Sequence, residues 1–208
     1  MGPGWRGRLS GEIWPQTLSQ KAMRGSMPLL RLNEYDPSGS DYGRPKFIVF
    51  LWFLFQETLF RYSPVPCYGF RRRLLKLFGC KLGQQVMVRP RARLHFPWRI
   101  EIGDHSAIGD DAWLYSIDTI KIGEHSVISQ KSFLCTAGHD YNNPRFRLTH
   151  QPITVGNGVW IAADVYVAPG VSIGDNAVIG ARSSVFQDMP PGMVCYGYPC
   201  RPIKPRGQ

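Results

Sequence analysis

Between Leu82 and Val185 an aliphatic residue returns in steps of six: Leu82, Val88, Leu94, Ile102, Ile108, Leu114, Ile122, Ile128, Leu134, Val155, Ile161, Val167, Ile173, Ile179 and Val185. Four places after most of these openers stands a small residue or a valine: Val86, Ala92, Ser106, Ala112, Ser126, Ser132, Val159, Val165, Val171, Ala177 and Ser183. Residues 100–114 overlay residues 120–134 at a shift of twenty, Ile-Glu-Ile-Gly-Asp-His-Ser against Ile-Lys-Ile-Gly-Glu-His-Ser at their starts. Self-similarity at a fixed period predicts a solenoid, in which each repeat buries its apolar face only by stacking on the next.

Each hexapeptide then supplies one short strand and one corner, and three make a coil. About five coils give three internal columns, Leu82/Ile102/Ile122/Val155/Ile173, Val88/Ile108/Ile128/Ile161/Ile179 and Leu94/Leu114/Leu134/Val167/Val185. Successive strands are expected to lie parallel, about 4.8 Å apart. Glycine follows the opener at Gly83, Gly103, Gly123, Gly156 and Gly174, where a corner backbone angle that only glycine takes cheaply is expected.

The interruptions all fall at one corner. Leu94 to Ile102 and Leu114 to Ile122 each take eight residues, and Leu134 to Val155 takes twenty-one. A loop over about 136–152 is therefore extruded from the third coil, and a long loop on a rigid scaffold is where function concentrates.

The apolar content of 43% is ordinary for one principal domain with a sizeable core. A net charge of +10 points to anionic partners, such as phosphates of a coenzyme, a nucleotide- or lipid-linked sugar, or an acidic membrane surface. No nucleic-acid motif accompanies the charge. Five cysteines, Cys67, Cys80, Cys135, Cys195 and Cys200, include no Cys-x-x-Cys pair, which argues against a disulfide framework and for a reducing compartment. Cys135 lies near the extruded loop but aligns with Tyr115 one repeat earlier, outside the inward columns, so a structural role is expected for it.

Residues 1–41 read as a disordered or extended N-terminal segment without a signal-peptide core, and initiation at Met1, Met23 or Met27 is open. Residues 42–79 read as a helical apolar and basic segment, 80–189 as the repeat region with its loop, and 190–208 as a basic tail. Residues 47–55 are nine consecutive apolar residues, and the segment continued through Phe60 is fourteen long, too few for a bilayer span of about 20. Packing against the solenoid end or a neighbouring subunit is its first reading. The second is an interfacial anchor, because Arg71-Arg72-Arg73-Leu-Leu-Lys76 follows and mixes charge with apolar residues as membrane-surface helices do.

Gly138-His139-Asp140 at the loop root, Pro152-Ile153-x-Val155-Gly156-x-x-Val159-Trp160-Ile161 after it, and Gly197-Tyr-Pro-Cys-Arg-Pro-Ile-Lys204 near the end resemble the left-handed β-helix O-acetyltransferases of hexapeptide-repeat type, closest to the colanic acid and exopolysaccharide biosynthesis acetyltransferases. The resemblance covers roughly 42–206. It implies an all-β solenoid, a left-handed parallel β-helix with an extruded loop, an N-terminal helical segment and a short C-terminal tail. The left hand comes from the resemblance alone, since parallel crossovers are generally right-handed.

Of the five histidines, His105 and His125 share a solvent-facing corner slot with Gln85, Gly158 and Asn176; a zinc site there would need a third ligand. His95 and His150 carry no motif, although His150 falls late in the loop. His139 opens the extruded loop after a glycine and matches the family's catalytic histidine. An imidazole can take a proton from a hydroxyl near neutral pH, so His139 is the expected general base. Asp140 either orients it or caps the loop turn. The resemblance further implies acetyl-CoA as acyl donor, in a groove between two subunits of a homotrimer. Trp160, Ala163, Ala181, Arg182 and Lys204 would bind it, with Arg206 near the nucleotide phosphates and no metal. Two departures from the galactoside-type pattern, Gly109 in place of asparagine and Phe186-Gln187 in place of threonine-lysine, imply a different acceptor.

Three functions are thus in view. The first is O-acetylation of a sugar or lipid-linked oligosaccharide in exopolysaccharide or cell-surface glycan biosynthesis, in the cytoplasm and peripheral to the inner membrane face. The second is N-acetylation of a nucleotide-linked amino sugar, and the third a non-catalytic trimeric scaffold.

Overall fold

The computed structural model describes residues 29–37 and 41–208. Most of the expected N-terminal extension, 1–28 and 38–40, lies outside the described residues. From Lys81 onward the chain visits three sheets in turn, built of strands two or three residues long except for the longer Met193–Gly197 and Cys200–Pro205 that end the second sheet. The first sheet stacks Lys81–Leu82, Ile100–Ile102, Ile120–Ile122, Ile153–Val155 and Ser172–Ile173, all in parallel. The second sheet stacks Met87–Val88, Ala107–Ile108, Val127–Ile128, Trp160–Ile161, Val178–Ile179 and Met193–Gly197. The third holds Arg93–Leu94, Trp113–Tyr115, Phe133–Cys135, Tyr166–Val167 and Ser184–Val185. Five complete coils result, with Met193–Gly197 beginning a sixth.

Every opener pairs with its counterpart one coil away, so the three columns stand in the register that the period predicts. Fourteen of the fifteen are buried, and only Leu82, in the first coil, is partly exposed. Each buried opener contributes about 1.5–3 kcal/mol relative to an exposed one. All eleven residues at the fourth place are buried too. Where that residue is serine, its hydroxyl joins coils. Ser126 Oγ donates to Gly156 O at 2.7 Å and accepts from Val159 N at 3.0 Å, and Ser132 Oγ donates to Ala162 O at 2.9 Å.

The corner glycines serve a different end from the one expected. None of Gly83, Gly103, Gly123, Gly156 and Gly174 has a positive φ. A side chain at Gly103 would instead place its Cβ 2.7 Å from the amide nitrogen of Glu124 in the next coil, so the glycine is there for close backbone approach. The left-handed residue sits two places later, at Gln85, His105, His125 and Asn176 with φ of 50°, 56°, 54° and 58°. His105 and His125 accordingly stack on the outside of that corner, 5.0 Å apart.

Two helices, α1 (Lys46–Phe55) and α2 (Tyr68–Leu77), cover the open end of the first coil, with a π-helical turn at Gln56–Phe60 after α1. An end coil exposes unpaired backbone groups. Trp52 Nε1 donates to Leu94 O at 2.8 Å, Leu94 N donates to Gln56 Oε1 at 2.8 Å, and Arg71 Nε donates to Val88 O at 2.7 Å. Arg71 is fully buried and also binds Ser63 Oγ and the carbonyls of Pro64 and Val65. The first member of the expected membrane-facing basic run is therefore an internal edge cap, while Arg73 and Lys76 face solvent. Phe47, Phe50 and Leu54, spaced along the outer side of α1, remain exposed.

The expected C-terminal tail is mostly ordered strand. Cys200–Pro205 runs antiparallel to Met193–Gly197 and closes the second sheet. No helix among the described residues is long and apolar enough to cross a membrane.

Candidate active site

The extruded segment leaves the corner between the third and first sheets and is largely a β-hairpin, not an irregular loop. Ala137–His139 pairs antiparallel with Leu148–His150, opposing Ala137 to His150 and His139 to Leu148. Its root is tied to the coil below. Thr136 Oγ1 donates to Tyr115 O at 2.8 Å, and His150 Nδ1 meets Asp118 Oδ2 at 2.7 Å. Burial raises the Asp118 carboxyl, but the hydrogen bonds from His150 and Thr119 and the nearby Arg99 outweigh it, and the group titrates below its ordinary range.

His139 stands at the end of the first hairpin strand, with its side chain exposed. Its Nδ1 lies 2.9 Å from the carbonyl oxygen of Phe146. Since a carbonyl only accepts, Nδ1 is the protonated nitrogen of this contact, and in the neutral ring Nε2 is then the one with the lone pair. The Phe146 ring stacks on the imidazole at 4.1 Å and 6°. Phe146 holds φ of +49°, uncommon for an aromatic residue. Asp140 does not touch the imidazole among its hydrogen bonds; its Oδ1 accepts the Asn142 N–H at 3.0 Å, the turn-capping arrangement.

Residues 31–36, inside the segment expected to be disordered or extended, bind the hairpin tip through Arg31 N to Pro144 O at 2.8 Å and Asp36 N to Arg145 O at 3.1 Å. This brings the Tyr35 ring to 6.2 Å from that of His139. Between segment, hairpin and α1 lies a cavity of about 370 Å³ walled by Tyr35, Tyr42, Phe53, His95, Phe96, Tyr115 and His139. Burial lowers the His95 imidazole to about 4. Cys135, beneath the same corner, is buried, donates its thiol to Ala137 O at 3.1 Å, and is raised by that burial, which keeps it a thiol. A larger depression of about 520 Å³ crosses the outer face of the first sheet and contains no imidazole or thiol.

The residues expected to hold the acyl donor lie elsewhere on the prism. Trp160 points outward from the second sheet, its Nε1 donating to Ser129 Oγ at 3.1 Å. Ala163, Ala181 and Arg182 occupy the corner between second and third sheets, and Lys204 lies on the strand that closes the second sheet. The Arg182 side chain is 85% exposed, with Asp164 at 3.5 Å. Arg206 is bound to the carbonyls of Gly158 and Asn176 at 2.8 and 3.1 Å. The second sheet faces away from the corner that bears His139, so one chain does not bring the base and these residues together. Gly109 has no room for a side chain, since a Cβ there would meet Gln130 N at 2.5 Å. Asp110 and Asp111 are paired to Arg89 and Arg91.

The repeat gave His139 its address at the root of the hairpin but left Phe146, the Asp118–His150 tie and the aromatic cavity unread. The pairing of Tyr115 with Cys135, and His95 at the same place one coil earlier, is the signal that was present. A bulky ring just past the column at the corner that extrudes the hairpin marks the cavity floor.

Residues 152–187 match the bacterial transferase hexapeptide (six repeats) family. WcaF of Escherichia coli (strain K12), named for acetyl transfer in colanic acid biosynthesis, is 48% identical over 156 residues, covering 75% of this chain and 86% of that protein. The hexapeptide-repeat acetyltransferase VCA0836 of Vibrio cholerae superposes with a TM-score of 0.72 at 27% identity, over 78% of this chain and 93% of that one; it has also been solved with acetyl coenzyme A. A galactoside acetyltransferase in complex with coenzyme A superposes with a TM-score of 0.68 at 30% identity, over 81% of each chain. Likeness over nearly the whole of WcaF, on the same coil architecture, places this chain in the hexapeptide-repeat acetyltransferase family.

Proposed function

We propose that the chain transfers an acetyl group from acetyl-CoA to a sugar hydroxyl in exopolysaccharide or cell-surface glycan biosynthesis, with His139 as general base. The observation that carries this reading is the Nδ1 contact to the Phe146 carbonyl, which leaves Nε2 as the proton acceptor at the mouth of a cavity. The acceptor hydroxyl gives its proton to Nε2 as its oxygen attacks the thioester carbonyl carbon. Backbone amides stabilise the oxyanion. The carbon–sulfur bond then breaks, and the coenzyme thiolate recovers the proton from the imidazolium. WcaF, at 48% identity, supports the polysaccharide context.

Self-association as a homotrimer belongs to the same proposal. The outward residues of the second sheet are Met87, Ala107, Val127, Trp160, Val178 and Val194, whereas those of the first are Lys81, Glu101, Lys121, Thr154 and Ser172. Packing the apolar face against a neighbour would bring Trp160, Ala163, Ala181, Arg182 and Lys204 of one copy toward His139 of another, with the two cations available to coenzyme phosphates. Peripheral contact with an anionic membrane surface through 47–76 is proposed from the exposed side of α1.

The test is thiol release from acetyl-CoA in the presence of cell-envelope oligosaccharides and lipid-linked intermediates. Acceptor-dependent release by the wild type is expected to fall at least about 100-fold in a folded His139→Ala variant, the lower range for loss of a general base. Equal turnover by the variant would remove His139 from the mechanism.

A further inference from the structure

The cavity beside His139 is lined by residues of the chain that carries that histidine and is separate from the face of the same chain that bears Trp160. We propose that it seats the acceptor, and that it takes a neutral pyranose ring by its apolar face, excluding uronates and phosphorylated sugars. This rests on the reading of His139 as the base of acetyl transfer to a sugar hydroxyl.

The walls set the class of ligand. Tyr35, Tyr42, Phe53, Phe96 and Tyr115 present aromatic surface, and the carbon–hydrogen face of a pyranose gains by leaving water against such rings while its hydroxyls stay at the rim. Near that rim Nε2 of His139 is the proton acceptor. A volume of about 370 Å³ stands at the low end of the ~300–1,000 Å³ usual for small-molecule sites, which suits one ring with its linkage and not an oligosaccharide.

Charge argues the same way. The carboxylate of Asp41, on the wall, is paired with Arg99 at 3.2 Å, and the same guanidinium donates to the carbonyls of Asp41 and Ile117. Arg99 is thereby engaged and its charge offset. His95 is edge-on to Phe53 at 5.3 Å and tilted against Phe96 and Tyr115 at 4.3 and 4.6 Å, and its burial keeps it neutral well below neutral pH. An anionic sugar entering this space would shed its hydration without gaining a free cation.

Side-chain carbon-13 labelling of histidine lets the imidazole signals of His95 and His139 be followed in the full chain. The probes are methyl glucoside, methyl galactoside, methyl fucoside and methyl glucuronide. At least one neutral glycoside is expected to shift both signals saturably, with the glucuronide leaving both in place at tenfold higher concentration. Tyr115→Ala is expected to weaken that binding at least tenfold. Tyr35→Ala, on the exposed N-terminal segment, should do so without disturbing the fold. Glucuronide binding as tight as the best neutral glycoside would overturn the proposal, as would shifts confined to His139 or no response of His95 to any neutral probe. Thiol-release assays separate this outcome from the parent reading. If neutral glycosides move both signals while His139→Ala turns over normally, the base assignment fails and the cavity assignment stands. If release depends on His139 while His95 never responds, the reverse holds.

Discussion

Burial drives the His95 imidazole to about 4, below the ~6.5 of an exposed histidine. The unfolded chain therefore takes up the proton first as pH falls. Stability is fully present above about pH 6.5 and is lost progressively toward pH 4. Glu101 and Asp118, whose carboxyls are held low, give up their contributions only below the ordinary carboxylate range of ~4. Urea unfolding between pH 6.5 and 5 consequently isolates His95, and the wild type should lose about 1–2 kcal/mol across it while His95→Phe stays flat. A flat wild-type profile would mean that His95 is not desolvated. Residue identity was legible where the repeat fixed an address, as for His139. It was not legible where the residue acts through its backbone: nothing in the sequence says that Phe146 will turn left-handed and offer its carbonyl to an imidazole seven residues away. The corner glycines were found but misread, since close approach of the next coil is a property of stacked coils and is invisible in one of them.

At the level of elements, the helices show one segment serving two faces. The inner side of α1, the π-helical turn and α2 closes the first coil through Trp52, Gln56 and Arg71, which satisfy backbone groups that would otherwise invite pairing with another chain. The outer side of α1 leaves Phe47 64%, Phe50 66% and Leu54 47% exposed, with Lys46 beside them and Arg73 and Lys76 exposed on α2. That apolar ridge near cations fits an anionic lipid surface. Wild-type protein should sediment with vesicles containing anionic lipid and not with neutral ones, and Phe47→Ser/Phe50→Ser should abolish it. Failure of the wild type to sediment would leave α1 as an end cap alone. Within the basic run only the place of Arg71 differs from expectation, because charge in a sequence reads as surface, whereas this residue is needed where five donors can meet converging carbonyls.

For the whole molecule, the three sheets differ in what they show to the outside: paired charges on the first, aliphatic residues and Trp160 on the second, and Trp113, Phe133 and Tyr166 on the third. Proposed trimerisation through the second sheet predicts a particle of three chain masses by light scattering. Met87→Lys/Val127→Lys should reduce it to single chains and abolish thiol release with it, because the base and the proposed coenzyme residues lie on different sides of one prism. Lys121→Ala, on the polar face, should leave the assembly intact; a monomeric wild type would defeat the idea. By itself the sequence determined the coil, its three columns, their register and the corner from which the hairpin leaves, because a period of six admits one stacking that turns every opener inward. Only the tertiary structure decided what surrounds His139. The cavity joins residues 35, 42 and 53 to 95, 115 and 139, groups far apart in the chain whose contact is set by how the N-terminal segment packs on the hairpin, and no period in the sequence encodes that distance.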